Sequence, residues 1–304
     1  MAQPAGGVES VLEFQVSEPA TVVVQMALPG RPDGERLSVT GAGGLPLSEP
    51  PVELPPAGRL DGGRQHLLRL PAGPVTVRYT APVPAPPATG RRAEPGTADQ
   101  SQEPLTSGQP PEPATCGQQP EPLTELDRVL ALRPSRYCPS DRLAGFALGT
   151  FGHLTGDAER VRAITDHVWR HLAYEAGVSG PSTDAADTLL AGRGVCRDFA
   201  HLTTALCRAV DVPARVAAVY APGLSPMDFH LVTEAAVDGA WYVWDSTRLA
   251  PRQSLLRIAT GRDAADVAFS TVLAGRLELT GMQVTAVAPG DLPTDDHTAP
   301  VALA

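Results

Sequence analysis

Cys196 lies in GRGVCRDFAHLTTALCRAV, residues 192–210, just after two glycines. A cysteine can fill a core, bind a metal or attack a carbonyl, and its neighbours decide which. Gly192 and Gly194 interrupt any preceding helix, and Phe199, Leu202, Leu206 and Val210 then recur at helical spacing. This predicts Cys196 in the first turn of a helix, flanked by Arg193 and Arg197. A helix N-terminus and nearby cations favour a thiolate. Its unpartnered N–H groups could also face a developing oxyanion. On this stretch alone, a nucleophile and a small core residue stand as equal readings.

A nucleophilic thiol needs a base, and the base needs an orienting group. His230 in DFHLV and Asp245 in WYVWDST are the candidates. Asp238-Gly239 between two alternating runs is a strong hairpin signal. A two-residue loop pairs Val237 with Ala240. Counting back sets His230 opposite Thr247 and Val232 opposite Asp245. His230 and Asp245 then share one face as diagonal neighbours, about 7–8 Å apart at the backbone. A slip of one residue would put them on opposite faces. A His and an Asp on one hairpin are commonly structural. A helix-start cysteine elsewhere in the chain turns the reading toward a Cys196, His230, Asp245 triad.

Other residues carry less. Cys207, eleven residues after Cys196, sits about 16 Å further along the helix, too far to bridge, and reads as core. His167 and His171 are spaced as metal ligands can be, but no Glu follows His167 and no third ligand suggests itself. They read as a helical face, and no metal or cofactor is expected. His201 reads as packing, or as support behind the site. Asp198 either pairs with Arg197 or caps the helix. Trp241 and Trp244 point to opposite faces of one strand, so at least one is core.

These residues need elements to hold them. Residues 9–83 contain VLEFQV, TVVVQMAL, RLSVT, HLLRL and VTVRYT between Gly/Pro turns, which predicts a small all-β region over 1–82 that leans on its neighbour. Residues 83–125 are a Pro-rich linker containing Cys116, too poor in apolar groups to offset ordering entropy. Residues 126–288 begin with helices, including a stripe of Val161, Ile164, Val168 and Leu172. They end in four strands: RVAAVYAP, HLVTEAAV, AWYVWDST and RLELTGMQVTAV. That order indicates an α+β domain. The loop APGLSPMD, 221–228, is expected at the rim of the cleft, and 289–304 is expected to fray.

Composition narrows the partners. The formal net charge is −10 and the chain has no basic stripe, which argues against nucleic acid and anionic membrane surfaces. No apolar stretch is long enough to span a membrane, and no export signal is visible, so a cytoplasmic location with free thiols is expected. All 24 basic residues are Arg. With no Lys or Asn, amine catalysis and an asparagine orienter are excluded. The composition suits a GC-rich bacterial genome. Oligomeric state is not legible.

Taken together, YEAGVSGPSTDAADTLLAGRGVCRDFAHL, PARVAAVYAPG, DFHLVTEAAVDGAWYVWDSTRL and GRDAADVAF resemble the transglutaminase-like superfamily in its bacterial form, over about residues 130–288. The resemblance implies a papain-like core, with a nucleophile helix packed on an antiparallel sheet behind an N-terminal β domain. It implies Cys196 as nucleophile, His230 as general base and acid, and Asp245 as orienter. The implied reaction is acyl transfer from a peptide or protein amide through a thioester, resolved by an amine or by water. No acidic cluster with metal-loop spacing supports a calcium requirement. A cysteine protease with the same triad and a non-catalytic scaffold of the same fold are the rival readings. An arylamine acyltransferase fits the local motifs less well.

Overall fold

The computed structural model describes residues 6–55, 63–83 and 120–303. Cys116 and residues 84–119 of the expected linker lie outside the described residues.

Two antiparallel sheets form the frame. The first holds β1 (Gly6–Ala27), β2 (Arg36–Thr40), β3 (Val52–Glu53), β4 (Arg64–Leu70) and β5 (Gly73–Val83). The sequence separates VLEFQV from TVVVQMAL, but both belong to the single strand β1. Its first half pairs with β5 and its second half with β4. Pro19 has no N–H to donate, and the ladder shifts register around it instead of turning back.

Helices follow: α1 (Glu125–Ala131), α2 (Ser140–Phe151) and α3 (Asp157–His171). Then come β6 (Ala173–Tyr174), α4 (Ala185–Ala191), β7 (Arg193–Gly194) and α5 (Cys196–Ala209). The second sheet has the order β10-β9-β8-β11, from β8 (Ala214–Tyr220), β9 (Phe229–Val237), β10 (Ala240–Trp244) and β11 (Leu256–Gly261). Helix α5 packs against β8 and β9 on one side and against α2, α3 and α4 on the other. The expected apolar stripe is therefore only part of its buried surface: every residue from Asp198 to Arg208 is buried.

Two sequence expectations are corrected at the C-terminal end. RLELTGMQVTAV belongs to β12 (Ser270–Val287), which joins the first sheet along β1, from Gly7 opposite Val287 to Val24 opposite Ser270. Alternation identified the strand but could not identify its partner. Residues 289–303 do not fray. Val301 and Leu303 are buried, and Asp295 bonds the buried Arg252. A few apolar residues and one carboxylate suffice to anchor a Pro/Asp-rich segment.

The two sheets share a core. Leu12, Val22, Val24 and Tyr79 of the first sheet form one cluster with Val216, Tyr220, Leu231 and Ile258 of the second. The Tyr220 hydroxyl donates to the Met26 carbonyl at 2.8 Å and lies 2.9 Å from the Ser10 hydroxyl. Tyr220→Phe removes the donor to the buried Met26 carbonyl. It is expected to cost about 1–3 kcal/mol in urea unfolding. An unchanged urea midpoint would show that the two sheets do not depend on this contact.

Candidate active site

The helix start is built as the glycines predicted, with one correction. Cys196 is the first residue of α5 and is half-buried. The Val195 N–H donates to Asp198 Oδ2 at 2.9 Å, so the completely buried Asp198 caps the helix. Arg197 also pairs with Asp198, and it donates to the Gly180 carbonyl. Arg193 pairs with Glu175 at 3.4 Å. Both flanking guanidiniums are thus engaged with carboxylates rather than turned to the thiol. Gly194 permits the cap, because a Cβ there would lie 2.6 Å from the Asp198 Cβ.

His230 and Asp245 meet. Asp238 and Gly239 take positive φ, 50° and 79°, as a type I′ hairpin turn requires. Val237 pairs with Ala240, and the register runs on to Thr233 opposite Trp244. The His230 Nε2 lies 2.9 Å from Asp245 Oδ2, with both side chains almost completely buried. Asp245 Oδ1 accepts from the Thr247 N–H and hydroxyl, each at 2.8 Å. Burial alone would lower the imidazole pKa. The Asp245 charge and hydrogen bond, with a smaller effect of Cys196, overcome this and hold it at about 10. Burial likewise works against the Asp245 carboxylate, yet His230 and Thr247 keep its pKa below the ordinary value. The other ring nitrogen, Nδ1, is buried and has no hydrogen-bond partner. It is the nitrogen left for the Cys196 thiol.

Tyr174 also belongs here, a role the sequence left unassigned. The two-residue parallel ladder of β6 and β7 sets Tyr174 beside Gly194, two residues before Cys196. Its ring tilts against Phe199 at 5.8 Å. Its hydroxyl neighbours the Cys196 backbone and thiol, and burial followed by the charge of Cys196 pushes the phenol up to about 12. It therefore stays an O–H donor. The signal in the sequence is weak: YEAG soon after a helix and GRG one residue short of the cysteine. Asp228, at the end of the expected rim loop, carries a carboxyl raised by burial and close enough to feel His230.

The remaining candidates lie elsewhere. Cys207 and Cys138 are fully buried, and burial pushes each thiol up to about 12. His201 stacks on Tyr137 and accepts from the Ala264 N–H, and burial holds its pKa down at about 4. His167 and His171 stack with centroids 3.9 Å apart, and His167 also meets Phe146 and Phe151. Among the described residues, no three His, Cys, Asp or Glu side chains group as metal ligands. Both Trp241 and Trp244 are buried, Trp241 beneath the Arg215 guanidinium at 4.2 Å. Trp169 is part-exposed beneath Arg248 at 4.0 Å.

Comparison with known proteins agrees with this architecture. Residues 145–246, which include Cys196, His230 and Asp245, match the transglutaminase-like superfamily. The solved structure of a candidate cysteine protease from Cytophaga hutchinsonii is 28% identical, with a TM-score of 0.73. The match covers 97% of this chain and 96% of that one. An uncharacterized protein of Mycobacterium leprae (strain TN) is 32% identical over 108 residues. That match covers 32% of this chain and only 38% of the relative. The periplasmic domain of TgpA from Pseudomonas aeruginosa, at 17% identity and a TM-score of 0.36 over 81% of this chain and 92% of that one, is too distant to argue from. The chain has a transglutaminase-like core beside an N-terminal antiparallel β region, and its relatives support a cysteine-dependent enzyme.

Asp245→Asn tests the electrostatics. His230 is raised above its ordinary 6.5 and Asp245 lowered below its ordinary 3.8. The pair therefore stabilises fully between about pH 4 and 6.5. Its contribution is lost as pH rises toward about 10, and also as the carboxylate protonates in acid. In urea unfolding, Asp245→Asn is expected to cost about 3 kcal/mol within that window and progressively less as pH rises from about 6.5 toward 10. A cost independent of pH would rule out the ion pair.

Proposed function

With residues 145–246 as a transglutaminase-like core, we propose that this protein is a cysteine-dependent acyltransferase acting on amide bonds of a peptide or protein. One observation carries the reading: the buried His230–Asp245 pair leaves Nδ1 unpartnered beside Cys196. Nε2 is taken by the carboxylate, so Nδ1 is the only ring atom available to move a proton.

The Cys196 proton rests on His230 Nδ1 at the outset, and the Sγ thiolate attacks the amide carbonyl carbon. The carbonyl electrons move to oxygen, where the Tyr174 hydroxyl and the N–H groups at the start of α5 can donate to the oxyanion. As the intermediate collapses, the C–N bond breaks and Nδ1 returns the proton to the leaving nitrogen. A thioester remains. An amine or water then gives a proton to Nδ1 and attacks the thioester carbon. The C–S bond breaks, and the sulfur leaves as a thiolate beside the imidazolium. Asp245 stabilises the imidazolium that starts the first half-reaction and re-forms in the second, and Thr247 holds the carboxylate in place.

The hydrolytic outcome is the second reading. It is favoured by the Cytophaga hutchinsonii structure, described as a candidate cysteine protease. The test is a mass-spectrometric screen of glutamine-containing peptides with and without an added primary amine. Amine adducts indicate transfer, whereas deamidated or cleaved peptides indicate hydrolysis. Cys196→Ala is expected to abolish both. His230→Ala is expected to slow turnover at least about 10³-fold, and Tyr174→Phe about 10²-fold. Cys196 should also react with iodoacetamide at pH 7 faster than a free thiol, with the advantage lost in His230→Ala. Free-thiol reactivity that His230→Ala leaves unchanged, with no peptide turned over, would sink the enzymatic reading and favour a binding scaffold.

A further inference from the structure

The sheet face that carries His230 and Asp245 continues through Val219, Val232 and Val243. No helix covers it. Its cluster is completed by Ala250 and Leu255, and by Val301 and Leu303 from the C-terminal segment. The Val301 carbonyl accepts from the Val243 N–H at 2.8 Å, on the edge of β10 not used by β9. That edge leads directly to Asp245.

Arg252 joins the two parts. Its Nε and one terminal nitrogen reach the two Asp295 oxygens at 2.9 and 2.8 Å, and its backbone N–H adds a third bond at 2.9 Å. Its other terminal nitrogen donates to the Val243 carbonyl at 3.2 Å. Arg252 and Asp295 are buried almost completely. Asp295 Oδ1 also accepts from the His297 N–H, and Asp296 lies 3.6 Å from the guanidinium. The His297 ring sits within the fields of Asp295, Arg248 and Asp245.

A buried ion pair is an inefficient way to stabilise a fold, since an apolar pair commonly serves as well. What the guanidinium adds is direction. It holds a carboxylate in the C-terminal segment and a carbonyl two residues from Asp245 at the same time. We propose that Arg252 and Asp295 are positioning residues, whose bidentate pair clamps residues 291–303 onto β10 and so sets Asp245 behind His230. This rests on the triad reading above.

The test uses the full chain and follows iodoacetamide labelling of Cys196 against pH, with thermal unfolding measured in parallel. Asp295→Asn is expected to slow labelling near pH 6.5 by about tenfold, moving the profile toward that of His230→Ala. Above about pH 9.5 the rate should stay within about twofold of the unmodified chain, because most thiols are then ionised. Asp295→Glu should restore most of the loss. Arg252→Lys keeps the charge but loses the fork, and should shift the profile as Asp295→Asn does, should the latter fail to fold. Glu35→Gln breaks the partly buried Arg64–Glu35 pair in the first sheet. It should lower the melting temperature and leave the profile unmoved. A folded Asp295→Asn or Arg252→Lys protein with an unmoved profile overturns the inference, as does an equal shift in Glu35→Gln. An unmodified chain that already labels like His230→Ala overturns the triad reading and this inference with it.

Discussion

A histidine and an aspartate held 2.9 Å apart, with water removed from both, are the constraint the rest of the structure must meet. Neither group survives burial alone at neutral pH in its charged form. Together they do so only if every remaining bond of the carboxylate is met. Thr247 meets it twice on one oxygen, and His230 takes the other. The hairpin register, the tight turn at Asp238-Gly239 and the C-terminal segment along β10 all bear on this one contact. A one-residue slip anywhere in β9 or β10 would bury two unpaired charges.

The cysteine half is built by other means. Its position comes from a helix start, and that start is fixed by an inward-turned carboxylate, Asp198, which only a glycine at 194 can accommodate. The two halves are then joined through hydroxyls. Thr203 on α5 lies 2.9 Å from Ser246, the residue after Asp245. Thr204 lies 3.1 Å from Thr233 on β9, and Thr233 donates to the Ala200 carbonyl. Hydrogen bonds between a helix and a sheet are directional in a way apolar packing is not. They fix how far the Cys196 helix can slide relative to the histidine strand.

Local chemistry made much of this legible in the sequence. Gly-X-Gly before a helical stripe placed Cys196 at a helix start. Asp238-Gly239 set the hairpin, and counting from it placed His230 beside Asp245. What stayed illegible was long-range. Nothing in RLELTGMQVTAV says that it pairs with a strand some 260 residues earlier. Nothing in DLPTDDHTAPVAL says that Asp295 meets Arg252 or that Val301 enters a core. Tyr174 was missed because a two-residue parallel ladder has no periodicity to detect. Arg193 and Arg197 were misjudged because sequence proximity to a thiol does not say which way a long side chain turns.

The triad works as described only if His230 is held protonated by Asp245 with Nδ1 facing Cys196. The most direct measurement is a pH titration of the His230 ring nitrogens by nitrogen-15 NMR, with His230→Gln to assign the signals. The expected result is an imidazolium that persists through pH 8, well above the ordinary value of 6.5, with an Nε2 proton shifted by its carboxylate partner. A ring that is neutral by pH 7 would contradict it. The His–Asp contact would then be only packing, and the Cys196 proton would not rest on His230.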